Sequence, residues 1–371
     1  MLNNLKGKIW IVLGTRPELI KQLPVYYQCI KKIGKKNVLL VNSGQHKNFL
    51  NFYSKENKIK FDLILNNLQS TSSLIRNLKK SVKVFYNLFQ KYKPKIILVQ
   101  GDTTTAAACA YTANLLGICV AHNEAGLRTF DTQNPYPEEL NRKLITSVSD
   151  IHFAPTILNK KNLINEGVDE KDIYLVGNPG IDSFFSFLKK DADNDLNEIT
   201  NFSSNKIVFL TAHRREAKGK NMEKWFRILK IFFEQNKDLL LICPQHPNKF
   251  SSAAIRKYLL KLDNFYLTKP LNYATTCKII KSSLFVITDS GGIQEECASI
   301  GVPVVICRKK TERQEVLNLN IAKLTGFKFS NILKTLDWAK KKAANKKKWR
   351  FRPYGDGKAS VKIANILKEY Y

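Results

Sequence analysis

The chain has 371 residues, a formal net charge of +30 and 44% hydrophobic residues, too long for one core and too apolar for a disordered chain. Only 12 of its 61 Lys and Arg are Arg, and the 49 Lys are spread along the whole length, which argues against a nucleic-acid reader built on clustered Arg and interleaved aromatics. The seven Cys show no CxxC spacing and read as reduced core residues of a cytoplasmic protein; no run forms a signal peptide or approaches the ~20 apolar residues of a membrane span.

Along the chain, short apolar runs rich in Val and Ile alternate with longer amphipathic stretches. Strands are predicted over 8–13, 37–41, 95–99, 118–122, 150–154 and 173–176, with a helix over 17–33 after the first. The polar stretch 191–205 lacks a period and reads as a linker or exposed loop. A second series follows, with strands over 206–210, 239–243, 264–267, 284–288 and 302–306 and a helix over 222–236. This alternation predicts an α/β chain of two Rossmann-like doubly wound domains facing a cleft, with ligands at the carboxyl ends of the strands. A basic cluster near the end (Lys340, Lys341, Lys342, Lys346, Lys347, Lys348, Arg350 and Arg352) reads as a solvated helix face; the sharper alternative is a weak contact with an anionic membrane surface.

Chemistry-bearing residues collect where those strands end. Gly14-Thr15-Arg16-Pro17-Glu18 turns tightly from strand to helix and sets Arg16 beside free helix N–H groups, a combination suited to a diphosphate, with Lys21 one turn further as a second cation. Ser290-Gly291-Gly292 opens another helix after the strand 284–288 and offers hydroxyl and backbone donors to phosphate oxygens, while Glu296 lies one turn in, placed to accept from a ribose diol. Asp102, after Gly101 and before three Thr, is either a helix cap or a site carboxylate. Glu124, between His122-Asn123 and Ala125-Gly126, is poorly explained by capping, and burial near other carboxylates would suit it to proton transfer. Glu138 and Glu139 either complement a helix dipole or place one carboxylate in the cleft. His213, flanked by Arg214 and Arg215, favours an anionic ligand. The five His show no ligand spacing with Cys or acid, so no metal is expected, and no GxSxG elbow supports a Ser hydrolase.

Taken as an ordered set, these segments, with Thr311-Glu312-Arg313 and Pro353-Tyr354-Gly355-Asp356-Gly357, resemble the non-hydrolysing UDP-N-acetylglucosamine 2-epimerases from about Lys8 to the C-terminus. The resemblance implies a glycosyltransferase-B-like fold divided at 1–182 and 183–355, with 356–371 as a terminal helix packing back on the first domain. It implies a homodimer and a cofactor-free epimerisation at C2 of a UDP-2-acetamido sugar, UDP-GlcNAc to UDP-ManNAc, by elimination of UDP and its re-addition to a glycal, with neither NAD nor metal. Acid–base roles fall on Asp102, Glu124, Glu138 and His213, with Asp102 and Glu124 at C2, Glu138 as second-face or supporting acid and His213 at the leaving diphosphate. UDP contacts fall on Arg16, Lys21, Ser290, Gly291, Gly292, Glu296 and Arg313.

The chain departs from the family pattern at Ala212 before His213, Ala217 after Glu216, Gly177-Asn178-Pro179-Gly180 and Gln314. Many bacterial members carry an allosteric substrate site near Gln-His and Arg-Gln segments; Gln45-His46 is present, but Leu68 precedes Gln69, which argues against homotropic activation. Competing readings are a hydrolysing relative that releases ManNAc and UDP, an epimerase of a related UDP-2-acetamido sugar, a glycosyltransferase of the same fold, and a basic nucleic-acid or membrane-binding protein.

Overall fold

The computed structural model describes residues 5–46, 50, 54, 57–65, 68, 71, 73–189, 206–211, 220–245, 249–345 and 349–371. The first series contains strands β1 (Ile9–Leu13), β2 (Val38–Asn42), β3 (Leu63–Ile64), β4 (Ile96–Gln100), β5 (Cys119–Asn123), β6 (Ile151–Ala154) and β7 (Ile173–Leu175). Helices α1 (Arg16–Ile33), α2 (Leu74–Tyr92), α3 (Thr104–Leu115), α4 (Glu138–Val148), α5 (Ile157–Asn165) and α6 (Pro179–Leu188) lie among and after them. The second series contains β8 (Lys206–Thr211), β9 (Leu239–Pro244), β10 (Phe265–Thr268), β11 (Phe285–Thr288), β12 (Val304–Ile306) and β13 (Ala322–Leu324). Its helices are α7 (Lys220–Gln235), α8 (Lys249–Tyr258), α9 (Tyr273–Ser282), α10 (Gly291–Ile300), α11 (Gln314–Asn318) and α12 (Phe329–Ala344), and α13 (Ala359–Tyr370) closes the chain.

Every strand predicted from the pattern forms, because each is a short run of Ile, Val and Leu that a parallel sheet can bury on both faces. β1, β2 and β4 are buried along their whole length. The two strands the pattern missed, β3 and β13, are two and three residues long and partly exposed, too short to carry a period. The 191–205 stretch expected as a linker lies outside the described residues.

All pairings are parallel, in a seven-stranded sheet ordered β3-β2-β1-β4-β5-β6-β7 and a six-stranded sheet ordered β10-β9-β8-β11-β12-β13. The strand order reverses between β1 and β4 in one and between β8 and β11 in the other, and the crevice outside the carboxyl ends at such a reversal is where open α/β sheets take ligands. The chain separates into two compact units, Met1–Ser183 with Tyr354–Tyr371, and Phe184–Pro353. Each has its own core: Trp10, Phe85 and Phe89 pack with the β4 and α3 side chains in the first, and Trp225, Phe232 and Phe285 lie among Leu and Ile in the second.

The C-terminal helix belongs to the first unit. α13 packs on α1, and its first turn is held by Asp182: Ala359 N and Ser360 N donate to the carboxylate at 3.2 and 2.8 Å, as does the Ser360 hydroxyl. The Asn178 N–H donates to the Tyr354 carbonyl at 2.8 Å on the approach to that helix. Asp182 therefore does the work of a helix cap from a distant part of the chain, satisfying N–H groups that a helix start leaves unpaired. Asp182→Ala is expected to lower stability by about 2 kcal/mol, read as a lower urea midpoint, with hydrogen exchange of the α13 amides rising first.

Candidate active site

The first unit builds its site at the carboxyl ends of β1, β4 and β5. Gly14 follows β1, and a Cβ there would lie 2.4 Å from Ser43 Oγ and 2.9 Å from Gln45 Cβ, so a larger residue would force those side chains to move. Thr15 caps α1, and Glu18 returns the bond: Gly14 N and Thr15 N donate to Glu18 Oε2 at 2.8 and 2.7 Å, completing a capping box. The Thr103 hydroxyl donates to the other Glu18 oxygen at 2.9 Å, which ties the β1–α1 turn to the β4–α3 turn. Burial pushes the Glu18 carboxyl up, against the pull of these donors. Arg16 is the first residue of α1 and is half-buried; Lys21 follows one turn later.

Lys21 Nζ lies 2.5 Å from Glu124 Oε2. Glu124 is only 5% exposed and sits just past β5 with φ +66°, a left-handed conformation that costs a non-glycine residue energy and that occurs preferentially at functional positions. The Gln100 amide donates to the same oxygen, Asn123 Nδ2 donates to Gln100 Oε1 at 2.7 Å, and the Glu124 N–H donates to Asn123 Oδ1 at 3.0 Å. Glu124 caps no helix, and Lys21 and Gln100 are among the groups that bind its carboxylate.

Asp102 follows Gly101 at the end of β4. Thr103 is the N-cap of α3, accepting from Ala106 N at 3.1 Å, so Asp102 is free of the capping role that the sequence left open. Its carboxylate takes an ion pair from Arg142, and its carbonyl accepts from Asn141 Nδ2 at 2.8 Å. Arg142 is buried and also donates to Glu139 at 2.8 Å; Glu139 in turn accepts from the backbone N–H groups of Thr129 and Phe130. The two neighbouring acids of α4 thus part company: Glu139 is a fully buried anchor, and Glu138, the first residue of the helix, is half-buried.

His122 lies beside His152 in the β5–β6 register and contacts the Gly101 carbonyl through Nε2 at 2.8 Å, which makes Nε2 the protonated nitrogen. Burial drives it down to about 3, with His152 and Arg128 pushing the same way. Arg128 is itself buried and doubly bonded to Glu166 at 2.7 and 2.6 Å. The Gln45-His46 segment starts just past β2, the His46 N–H donating to the Gly14 carbonyl. Leu68 is buried among Leu65 and Phe85, so an apolar core residue occupies the place where the family pattern has an Arg. Gln69 lies outside the described residues.

In the second unit Ser290 occupies the N-cap position of α10 without a side-chain capping bond, leaving its hydroxyl to other partners at a helix N-terminus made of Gly291 and Gly292. Arg313 lies against that turn: a Cβ on Gly291 would come within 2.7 Å of its guanidinium carbon, so a side chain there would displace the guanidinium. Arg313 is buried, donating from Nε to Glu295 at 2.7 Å and pairing with Glu312, which also takes Arg308 at 3.0 Å. Glu296 accepts from the Tyr273 hydroxyl at 2.5 Å. Thr211 and Thr288, the last residues of β8 and β11, join through their hydroxyls at 2.7 Å. The segment that leaves β8 carries His213, which lies outside the described residues with Arg214, Arg215 and Glu216. Sequence reasoning gave no role to Gln100, Asn123, Arg142, Tyr273, Glu295 or Glu312; the available signal was a polar residue at the end of an apolar strand or an acid beside an Arg of known interest.

Among the described residues no cluster of three His, Cys, Asp or Glu is placed to hold a metal ion, and no helix is long and apolar enough to cross a membrane. A family model described as UDP-N-acetylglucosamine 2-epimerase matches residues 30–368. A Campylobacter jejuni UDP-N-acetylglucosamine 2-epimerase is 37% identical over 97% of this chain and 97% of its own length, and a Bacillus subtilis enzyme of the same name is 34% identical over 99% and 96%. Among solved structures, the Neisseria meningitidis UDP-GlcNAc 2-epimerase bound to UDP-GlcNAc superposes with a TM-score of 0.88 at 31% identity, covering 98% of this chain and all of that one. Staphylococcus aureus MnaA with UDP superposes with a TM-score of 0.90 at 32% identity over 98% and 96%. The chain belongs to the UDP-N-acetylglucosamine 2-epimerase family, and its two parallel α/β units have the glycosyltransferase-B-like fold of that family.

The His122 environment sets a pH dependence of stability. The folded chain keeps His122 neutral down to about pH 3, whereas the unfolded chain protonates near its ordinary value of about 6.5. The contribution is complete above about 6.5 and is lost as pH falls from there toward 3, because only the unfolded state takes up the proton. Urea unfolding between pH 7 and 4 is expected to show stability falling by an amount on the order of a few kcal/mol. His122→Gln, which keeps a donor for the Gly101 carbonyl, is expected to flatten that slope.

Proposed function

We propose that the protein interconverts UDP-N-acetylglucosamine and UDP-N-acetylmannosamine without a cofactor, by eliminating UDP across C1–C2 and adding it back after the C2 proton returns to the opposite face. The observation that carries this reading is Glu124, a buried carboxylate in a left-handed backbone conformation at a strand end, bound by Lys21 and Gln100. A group so constrained is an acid–base residue in waiting, because its geometry is prepared before substrate arrives.

In the forward direction one carboxylate of the pair Asp102 and Glu124 takes the C2 proton. The C2–H electron pair becomes the C1=C2 bond of the glycal, and the C1–O bond breaks with its electrons passing to the β-phosphate oxygen of UDP. The charge that develops on the diphosphate is met by cations and N–H dipoles. Arg16 and Lys21 in the first unit, and Ser290, Gly291, Gly292, Glu296 and Arg313 in the second, are assigned to UDP, and His213 to the leaving oxygen. Return of a proton to the other face of C2, with Glu138 as the supporting acid, and attack of the diphosphate oxygen on C1 complete the inversion. The ion pair of Asp102 with Arg142 fixes the direction of that carboxylate at the end of β4.

NMR of the protein with UDP-GlcNAc in D2O tests the reaction. UDP-ManNAc carrying deuterium at C2 is the expected product; free ManNAc with stoichiometric UDP would instead place the chain among hydrolysing epimerases, and retention of protium at C2 would refute deprotonation there. Asp102→Asn and Glu124→Gln are expected to fold, with a somewhat lower melting temperature from the lost ion pairs, and to lose turnover by about 10²–10⁴-fold. Arg16→Ala is expected to weaken UDP about tenfold or more, measured by calorimetry with UDP alone.

A further inference from the structure

β4 and β5 each end in a carboxamide, Gln100 and Asn123, and the parallel register sets these two residues side by side. Both are buried, at 1% and 0% exposure, Gln100 after a run of Ile, Leu and Val and Asn123 after Cys, Val, Ala and the buried His122. Burying two amides there costs several kcal/mol unless each polar atom is met, and packing alone gives no reason for them. Their partners are each other and Glu124, in a closed ring whose direction is forced. An ionised carboxylate only accepts, so Gln100 presents its N–H to Glu124 Oε2 and turns its carbonyl to Asn123. Asn123 must then present its own N–H to that carbonyl, which leaves its oxygen for the Glu124 backbone N–H, 3.0 Å away. One ring therefore holds both the side chain of Glu124 and the peptide that enters its left-handed backbone.

We propose that Gln100 and Asn123 are positioning residues for Glu124, a two-amide brace that fixes the direction of its carboxylate and keeps it in the form that accepts the sugar proton. The inference rests on the reading of Glu124 as an acid–base group. Lys21, from α1, is a charged group set against the same oxygen, but it reaches across on a long stem with several rotatable bonds. The brace instead grows from two adjacent strands, whose positions the sheet already determines. Lys21 supplies charge; Gln100 and Asn123 supply direction.

The test uses the full-length protein and three near-isosteric variants, Gln100→Met, Asn123→Leu and the double variant, with UDP-GlcNAc turnover and C2 deuterium uptake followed against pH. Gln100→Met is expected to lower kcat by about 10–100-fold through misplacement of the carboxylate and to move the acid limb of kcat/KM upward by about one pH unit through loss of a donor to the charged form. KM should change by less than about twofold, because neither amide is assigned to the UDP-sugar. Asn123→Leu should act in the same direction, and the double variant should fall short of the product of the two single effects, since the amides work as one ring. Should Gln100→Met not fold, Asn123→Leu leaves Gln100 in place and reads the same ring. A wild-type kcat and acid limb in variants that fold, or a lowered melting temperature with an unmoved acid limb, would reduce the pair to packing and overturn the proposal. Glu124→Gln separates the layers: full turnover in that variant removes the acid–base reading itself, whereas its inactivity beside unaffected brace variants removes only the brace.

Discussion

A carboxylate taken out of water at the end of a parallel strand stays ionised only if donors replace its hydration, and that demand organises the first unit around Glu124. Lys21 arrives from α1 and Gln100 from β4, so two elements on either side of the strand-order reversal have to be in place before the carboxylate is satisfied. The same logic repeats at each acid of the site. Asp102 is met by Arg142, Glu139 by Arg142 and two backbone N–H groups, and Glu18 by its own helix start and Thr103. The carboxylates are therefore also the fasteners that hold neighbouring strand-to-helix turns together.

The second unit applies the constraint with the charges arranged differently. Arg313 is a buried cation, and Glu295 and Glu312 are anions that hold its guanidinium against Gly291. The helix start thus combines a glycine turn, an N-cap Ser that makes no capping bond and a guanidinium already fixed in place. A site for a diphosphate needs this preorganisation, since donors that are fixed beforehand lose little entropy when the anion arrives. The overall charge of +30 has a different origin: most of it is exposed Lys, which contributes to solubility and to the long-range field but to none of these contacts.

The brace on Glu124 and the cap on α13 share a device. In both, a side chain from one stretch of chain satisfies backbone N–H groups of another: Asp182 does so for a helix start more than 170 residues away in sequence, and Asn123 for its immediate neighbour. The first fastens the end of the chain to the unit where it began; the second holds one residue in a backbone form it would otherwise leave.

The alternation of Ile- and Val-rich runs with amphipathic stretches was enough to place eleven strands and the parallel two-unit fold, because a buried parallel strand needs apolar residues on both faces and leaves that mark in any sequence. The clustering of Gly14, Asp102, Glu124 and Ser290 at strand ends was also legible, since glycine, hydroxyl and acid residues have little other reason to interrupt such runs. β3 and β13 were not, because strands of two and three residues are made by their neighbours and not by their own pattern. Nor was the pairing of acids with their partners: that Asp102 meets Arg142, that Glu124 meets Lys21 and Gln100, and that Glu139 rather than Glu138 is the buried anchor. Which segments become strands follows from local composition, but which donor faces which carboxylate depends on the register between strands and on the angle at which a helix lies over them. Those are set only when the sheet has closed on its core.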